Sequence, residues 1–443
     1  MKILIHFFTP ACCLAGLFFL QTTARSEVPK APLDSLVNRP GVWDASSQSL
    51  EQELTPMGFR WTSASKDSLR AAHPGLSVAG KRAYEAIVRF ENDKPESISV
   101  ILYNRGDAGD LSRTAFETLL QEVTASLSGL YGGEPAERGR DASGAVRAEG
   151  VYWKNNEALG TLEWSVTKES RAKGISFRAE FIRLVMTPPQ VAMAQVGATP
   201  PPSAKDIVKS FSGKDQIEKS PDGDIFLVGV PMVDQGQKGY CVVASVERVM
   251  RYFGAPIDQH ELAQLANTET EGGTSPSAMM DSLKKLTMRL GVRVKEVYPF
   301  DFSDFMKMID DYNRLAKRAK EPPVKVGSMV VDIDACYKQM NPEILKSVRL
   351  KKTADFGKFQ REIQRGVDEG LPLLWSMRLG IVPETGIPQT GGGHMRLIVG
   401  YNAGTKEILY SDSWGMGHEK KRMSMEDAWT ITSGLSIIQP SSS

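Results

Sequence analysis

Cysteine is scarce in this sequence: only four occur in 443 residues, and two of them, Cys12 and Cys13, lie in an apolar N-terminal run. The other two, Cys241 and Cys336, are far apart, so the sequence is not that of a disulfide-stabilised scaffold. The motifs CxxC, HExxH, GxxxxGK(S/T) and GxGxxG are missing as well. The common zinc, P-loop and dinucleotide sites therefore lack support, and we expect neither a metal nor a cofactor.

The sequence also lacks an excess of charge of either sign. Its 54 Lys and Arg residues nearly cancel 53 Asp and Glu residues, for a formal net charge of +1. A strongly basic surface is the usual mark of a nucleic-acid-binding protein, so bulk charge argues against that class. Beyond the first 20 residues, no apolar run is long enough to span a bilayer.

The N-terminus has the pattern of an export signal. Lys2 supplies a positive charge, Ile3–Leu20 is almost wholly apolar, and Thr22-Thr23-Ala24 offers small residues for cleavage. We therefore predict a signal peptide over residues 1–24 and an extracytoplasmic, periplasmic or secreted, mature protein. An uncleaved membrane anchor is the alternative.

The length of the chain favours two domains rather than one. Residues 29–186 are predicted to form a small α+β domain of unassigned role, because apolar residues recur at helical spacing from Phe116 to Leu130 and alternate around Trp164. Residues 187–224 are rich in proline and polar residues, a composition that cannot build a core and is typical of a semi-extended linker.

Residues 226–440 are predicted to form a second domain with helices first and mostly strands afterwards. Ser275-Pro276 is a typical helix start, with proline at the first helical position. Leu371–Met377 has the composition of a buried strand, and Met395–Tyr401 and Glu407–Asp412 are predicted to form a hairpin around a polar turn. The whole chain is thus assigned to the α+β class.

Cys241 lies at a predicted helix start. A glycine-rich run, from Gly236 to Gly239, precedes it, and apolar residues follow at helical spacing until Gly254. At a helix N-terminus the dipole and unpaired N–H groups favour the reactive thiolate. A single cysteine on an apolar helix fits a buried structural residue equally well, so the cysteine by itself leaves both interpretations open.

Gln235 favours the catalytic interpretation. It lies six residues before Cys241 across the glycine-rich loop, so its amide can fold back beside the sulfur. A side-chain N–H there, together with the backbone N–H of Cys241, would stabilise the oxyanion of an acyl-transfer intermediate. Gln237 is a weaker candidate for the same role.

His394 and Asp412 are the candidate base and its orienting partner. His394 enters a predicted strand from a run of three glycines, and Asp412 ends the next strand. A hairpin centred on Ala403 would place the two residues opposite each other on one face of the sheet, with Cβ atoms roughly 4.5–5.5 Å apart. A shift of one residue would move one of them to the other face.

These residues together resemble the papain-like cysteine peptidases. The spacing Gln-Gly-x-x-Gly-x-Cys and the run Asp412-Ser413-Trp414-Gly415 are similar to the oxyanion and Asn-Ser-Trp-Gly motifs of that superfamily. The similarity is closest to the bacterial branch that removes double-glycine leader peptides. The shared features, in order along the chain, are Gln235–Ser245, Gly272-Gly273-Thr274, Gly393–Tyr401 and Asp412.

The resemblance covers the C-terminal half and implies a papain-like fold: N-terminal helices plus an antiparallel sheet. It implies a thiol peptidase with a Cys241, His394, Asp412 triad, a Gln235 oxyanion hole and a peptide or protein substrate. The alternatives are a transpeptidase or amide transferase that uses the same triad, and a non-catalytic peptide-binding protein on a peptidase fold.

Two departures from the family pattern bear on the substrate and on the triad. The sequence carries neither an ATP-binding cassette nor a transporter portion, and export argues against leader removal in the cytosol. Asp412 stands where plant-type members have asparagine, so an Asp412→Asn replacement is expected to keep substantial activity and an Asp412→Ala replacement to lose more.

Overall fold

The structure is a computed structural model that describes residues 30–37, 39–141, 146, 148–169, 176–189, 207–208, 210–255, 257–268, 273–285, 287–327, 331–387 and 391–441. The predicted signal peptide, most of the proline-rich segment and Gly272 lie outside these ranges. Within them, no helix combines the length and the apolar character that crossing a bilayer requires.

Residues 31–187 are here called the N-terminal region, and their described part forms an eight-stranded sheet, a small three-stranded sheet and four α-helices. The large sheet has the strand order β2-β3-β6-β7-β11-β10-β9-β8, and all of its neighbouring strands are antiparallel. The strands are β1 Ala31–Pro32, β2 Arg60–Trp61, β3 Ser68–Ala71, β4 Leu76–Val78, β5 Lys81–Arg82, β6 Glu85–Glu91, β7 Lys94–Asn104, β8 Ala136–Asp141, β9 Ala148–Lys154, β10 Leu159–Thr167 and β11 Arg178–Thr187. The helices are α1 Asp34–Val37, α2 Ser47–Leu54, α3 Arg105–Ala108 and α4 Arg113–Tyr131.

Residues 213–440, here called the C-terminal region, contain a second antiparallel sheet with helices around it. Its strand order is β12-β13-β16-β15-β19-β14, and β17 pairs with both β16 and β18. The strands are β12 Ile217–Lys219, β13 Asp224–Leu227, β14 Val292–Tyr298, β15 Leu373–Leu379, β16 Gly392–Asn402, β17 Glu407–Ser411, β18 Lys421–Ser424 and β19 Thr432–Pro440. The helices are α5 Cys241–Tyr252, α6 Gln259–Leu265, α7 Pro276–Lys285, α8 Thr287–Leu290, α9 Phe302–Ala319, α10 Ile333–Lys338, α11 Pro342–Leu350, α12 Thr353–Asp368 and α13 Met425–Ile431. The chain is therefore α+β, with mixed helices and antiparallel sheets.

Helix α5 is buried on nearly every side and packs against the sheet at strand β16. Val242, Val246 and Val249 face the core with essentially no exposed surface, as their helical spacing requires. Ser245 donates its hydroxyl to the carbonyl oxygen of Met395, which directly follows His394 on β16. This packing brings the first turn of α5 to the start of β16, so Cys241 and His394 become neighbours.

The C-terminal sheet begins earlier than the sequence indicated. Strands β12 and β13 lie inside or at the end of the polar run that was assigned to the linker, and β13 pairs with β16. Glu218 and Lys219 on the edge strand β12 are exposed, so this strand lacks the apolar pattern by which strands are recognised. Asp224 is buried and accepts hydrogen bonds from Asn402 and Arg422. These contacts fix this segment to the sheet, as a linker would not be fixed.

Ionic and polar contacts join the two regions. Arg183 on β11 donates to Glu261 on α6 at 2.9 Å, and Ser165 on β10 donates to Gln264 at 2.7 Å. Phe181 forms part of a small apolar cluster against which Leu265 packs. The N-terminal sheet is thus attached directly to the helices that follow Cys241.

Candidate active site

Cys241 is the first residue of helix α5. Tyr240 precedes it as the N-cap residue and provides no side-chain hydrogen bond to the helix N-terminus. The N–H groups of the first turn therefore have no side-chain cap, and the N-terminus of a helix stabilises a nearby anion. Cys241 is partly exposed and, like Cys336, is a free thiol.

Gln235 is held beside the helix start by Ser413. The Ser413 hydroxyl donates to Gln235 Oε1 at 2.7 Å, and Gln235 N donates to the Ser413 carbonyl oxygen at 2.9 Å. Because the amide oxygen is occupied, the amide nitrogen points away from Ser413. The amide nitrogen lies 3.4 Å from the carbonyl oxygen of Lys238, which is a long contact. One N–H of Gln235 is thus left for an external acceptor. The side chain of Gln237, the weaker candidate for the same role, is exposed.

His394 and Asp412 are joined by a buried hydrogen bond. His394 Nε2–H donates to Asp412 Oδ1 over 2.7 Å, and Asp412 has no exposed surface. The carboxylate accepts, so the proton resides on Nε2 and the ring nitrogen Nδ1 remains for Cys241. Trp414 stacks on the imidazole, with ring centroids 4.6 Å apart and an interplanar angle of 17°, and covers one of its faces.

The hairpin that carries His394 and Asp412 has a different register from the predicted one. Leu397 pairs with Ser411, with a bulge between Ile398 and Gly400, so the next position in register opposite Asp412 is occupied by Arg396. The predicted direct pairing of His394 with Asp412 is therefore wrong by two residues. An even shift leaves His394 on the same face of the sheet, and the two side chains meet diagonally.

Arg396 occupies the position opposite Asp412 and is completely buried. Its Nε donates to Asp412 Oδ2 at 2.7 Å, and its Nη1 donates to both oxygens of Glu384, at 3.1 and 2.8 Å. Tyr410 also donates to Glu384. Asp412 therefore lies between two cationic side chains, one on each carboxylate oxygen.

Arg248, on the helix that begins with Cys241, holds the backbone of the same segment. It donates to the carbonyl oxygens of Pro231 at 2.8 Å and Asp412 at 3.0 Å, and to the hydroxyl of Ser411. Burial lowers the pKa of Arg248 to about 10, although the charge of Asp412 opposes this. The side chain links helix α5 to the end of β17.

The electrostatics of the site favour an imidazolium at neutral pH. Burial by itself lowers the pKa of His394, but the charge and hydrogen bond of Asp412, together with Cys241, outweigh it and raise the pKa from 6.5 to about 9. For Asp412, burial raises the pKa, yet His394 and Arg396 overcome this and hold it well below its usual range. Asp412 is therefore ionised and His394 protonated, which is the charge state that accompanies a thiolate.

The structure thus brings together all four residues that the sequence singled out, Cys241, Gln235, His394 and Asp412. Sequence reasoning missed Arg396, Arg248 and the hydroxyl of Ser413. Ser413 and Trp414 do lie in the Asp-Ser-Trp-Gly run, so that motif marked their position without their contacts. In the described part of the chain, no three His, Cys, Asp or Glu side chains are grouped as metal ligands.

Comparison with protein-family models places this site within a matched segment. Residues 229–314 match the Peptidase C39 family, and residues 312–437 match the Peptidase_C39 like family. Together these matches cover the C-terminal half, so its resemblance to this branch of the papain-like cysteine peptidases is confirmed. The chain has no match among curated proteins.

Proposed function

We propose that the protein is an exported thiol peptidase that hydrolyses peptide bonds with Cys241, His394, Asp412 and Gln235. The observation that carries this proposal is the buried bond from His394 to the ionised Asp412, directly beside the cysteine that begins helix α5. The Peptidase C39 matches around it support a cysteine peptidase in general. Substrates are peptides or proteins, and the chemistry of these four residues is complete without a metal or cofactor.

In the proposed acylation step, the Cys241 thiolate attacks the carbonyl carbon of the scissile bond. The carbonyl oxygen becomes an oxyanion that accepts hydrogen bonds from the Gln235 amide and the Cys241 backbone N–H. His394 Nδ1 then donates its proton to the departing amine as the carbon–nitrogen bond breaks, which leaves a thioester on Cys241.

In deacylation the neutral imidazole takes a proton from water, and the resulting hydroxide attacks the thioester. The carbon–sulfur bond breaks, and the thiolate and imidazolium are restored with release of the carboxylic acid product. Asp412 stays ionised throughout: it fixes the ring so that Nδ1 faces Cys241, and it stabilises the imidazolium.

A Cys241→Ala variant tests this assignment. We expect purified mature protein to cleave members of a fluorogenic peptide library, and Cys241→Ala to show no cleavage while keeping the wild-type circular dichroism spectrum. Cleavage by the variant at a rate close to that of the wild type would refute the role of Cys241. If an added amine were incorporated at the new carboxyl end in preference to water, the triad would belong to a transferase.

Export is tested separately by the N-terminus of the mature protein. The apolar run after Lys2 and the small residues at Thr22-Thr23-Ala24 support cleavage after residue 24. Mass spectrometry of the protein from its native host should find an N-terminus near Arg25 in the extracytoplasmic fraction. Soluble cytosolic protein that retains Met1 would contradict this part of the proposal.

A further inference from the structure

The loop from Asp234 to Tyr240, here called the oxyanion loop, has two sides that contact different parts of the molecule. Gln235 lies on the side of the candidate active site, where it binds Ser413. Asp234, Lys238 and Tyr240 lie on the other side and contact the N-terminal region. On the side away from the candidate active site, the loop is therefore held by residues about 100 or more positions away in the sequence.

Arg70 of strand β3 holds the start of the loop. Its Nη1 donates to Asp234 Oδ2 at 3.0 Å, and its Nε donates to the fully buried Glu85 on strand β6. Asp234 in turn accepts from the backbone N–H of Gly236 at 2.8 Å, across Gln235. A carboxylate fixed by Arg70 thus shapes the turn in which Gln235 sits.

Lys238 and Tyr240 hold the end of the loop. Lys238 Nζ donates to Asp107 Oδ2 at 2.6 Å, and only 4% of this side chain is exposed. Asp107 is itself oriented by Asn104, whose amide donates to the same carboxylate oxygen at 2.7 Å. Tyr240 packs so closely on Gly106 that a Cβ there would lie 2.7 Å from the phenol oxygen.

The carbonyl of Lys238 is also the oxygen that the Gln235 amide nitrogen contacts on the active-site side. Ion pairs with Arg70 and Asp107 therefore fix the residues on both flanks of Gln235, at 234 and at 238. The buried charge of Glu85 reinforces this arrangement. Burial raises the pKa of Glu85, but Arg70 and Lys238 outweigh that effect and keep it well below the ordinary value.

We propose that Arg70 and Asp107 are positioning residues for the oxyanion hole, so that the N-terminal region is an integral part of the catalytic centre. This inference rests on the proposed peptidase function. An oxyanion donor works only when it is aligned before the reaction, and a displacement of about 1 Å can reduce the rate by about 100-fold. Loss of either residue releases one flank of Gln235 without touching Cys241 or His394.

The experiment compares Arg70→Met with Arg183→Met as a matched control. Both arginines are in the N-terminal region, both have 13% of the side chain exposed, and both bind carboxylates of the C-terminal region. Arg183, however, contacts Glu261 and Asp258 near helix α6 and not the oxyanion loop. Asp107→Asn serves as the second test variant should Arg70→Met fail to fold, and Arg70→Lys tests rescue by a retained charge.

Two reactions of Cys241 are measured on the full-length mature protein: kcat and KM for the library peptide that the wild type cleaves fastest, and alkylation by iodoacetamide at pH 6. Alkylation displaces iodide from a saturated carbon and forms no oxyanion, and at pH 6 a thiol without an imidazolium partner is protonated. Alkylation therefore reports the Cys241–His394 pair and not the oxyanion hole.

We expect Arg70→Met and Asp107→Asn to lower kcat by about 10- to 100-fold with KM and the alkylation rate within about twofold of wild type. The kcat of Arg70→Lys should lie between those of the wild type and Arg70→Met, and the kcat of Arg183→Met should stay near the wild-type value. The inference is overturned if kcat is unchanged in both test variants, if kcat and alkylation fall together, or if Arg183→Met loses as much. A wild-type protein without Cys241-dependent cleavage would instead overturn the proposed function, and the inference with it.

Discussion

Arg396 and His394 bind opposite oxygens of the same carboxylate: Asp412 Oδ2 accepts from Arg396 Nε and Oδ1 accepts from His394 Nε2, each at 2.7 Å. Oδ1 also accepts from the backbone N–H of Ser413 at 2.8 Å. Both ends of the carboxylate are thus acceptors, and all three partners are donors. An aspartate satisfies this arrangement, whereas an asparagine has an acceptor at one end only.

Asp412→Asn is therefore expected to lose most of the activity, contrary to what the family resemblance implied. If the amide oxygen faces His394, the amide NH2 meets the N–H of Arg396; if the amide is flipped, it meets the N–H of His394. Each buried donor left without an acceptor costs roughly 1–3 kcal/mol, and a misdirected imidazole loses catalytic power. Steady-state kinetics should show a fall in kcat/KM on the order of 100-fold or more, similar to that of Asp412→Ala. Wild-type kinetics in Asp412→Asn would refute this account.

Replacing Arg396 as well should partly rescue the asparagine. In an Asp412→Asn, Arg396→Gln double variant, the glutamine oxygen can accept from the asparagine NH2, and the asparagine oxygen returns to His394. A double-mutant cycle is the measurement, with Arg396→Gln alone as the control. We expect kcat/KM of the double variant to exceed that of Asp412→Asn by about tenfold. If the kcat/KM losses of the two single variants simply multiply in the double variant, the proposed conflict between the asparagine NH2 and the N–H of Arg396 would be contradicted.

The pH dependence of kcat/KM for peptide cleavage should fall on its alkaline side near pH 9, because His394 must carry a proton that it can donate to the leaving amine. The pKa of His394 is raised from 6.5 to about 9, so the imidazolium persists through neutral pH and is lost as the pH rises through 9. The same shift makes a contribution to stability that is full below pH 6.5 and disappears above 9. Asp412→Ala removes the largest influence that raises this pKa.

In Asp412→Ala, the alkaline limit should consequently move to lower pH. Steady-state kinetics of the wild type and the variant with the same peptide, across pH 5–11, measure this limit. An unchanged limit in Asp412→Ala would mean that Asp412 does not govern the protonation of His394.

The signal cleavage proposed above would leave two cysteines, Cys241 and Cys336, and these should react with thiol reagents at very different rates. Cys241 is partly exposed, whereas Cys336 is 2% exposed in the apolar core, where burial raises the pKa of its thiol. Native protein should therefore incorporate one iodoacetamide label, at Cys241, and denatured protein two, as read by peptide mass spectrometry. Cys336→Ala should leave the rapid labelling unchanged. Equal labelling of both thiols in the native state would contradict the packing of helix α10.

Arg248→Met should destabilise the protein although Arg248 does not touch the reacting atoms. The change removes a donor from the buried carbonyl oxygen of Asp412 and another from the partly buried carbonyl oxygen of Pro231, and a buried acceptor left unsatisfied costs roughly 1–3 kcal/mol. Urea denaturation should therefore show a loss of about 2–4 kcal/mol. The control is Arg314→Met, an exposed arginine paired with Asp311, which should change stability by less than about 0.5 kcal/mol. Equal stability of the two variants would mean that Arg248 is not a structural link.

The features that could be predicted from the sequence are those encoded within a few neighbouring residues. Glycines followed by apolar residues at helical spacing placed Cys241 at a helix start, and a run of three glycines before an apolar stretch placed His394 at the start of a strand. The predicted hairpin register was wrong by two residues, yet the contact of His394 with Asp412 survived, because side chains on a strand alternate with a period of two. The polar edge strand β12 has no such local pattern, which is why the sequence assigned it to a linker.

The partner of each isolated polar residue, in contrast, depends on how the whole chain folds. Arg70 meets Asp234 across 164 positions, Lys238 meets Asp107 across 131, and Ser413 meets Gln235 across 178. A lone charged residue in a sequence has dozens of possible partners, and an ion pair forms where packing brings two side chains within about 4 Å. The position of Gln235 beside Ser413 follows from such a long-range contact, and the contact of Arg396 with Asp412 follows from the register of the hairpin, so both became visible only in the folded chain.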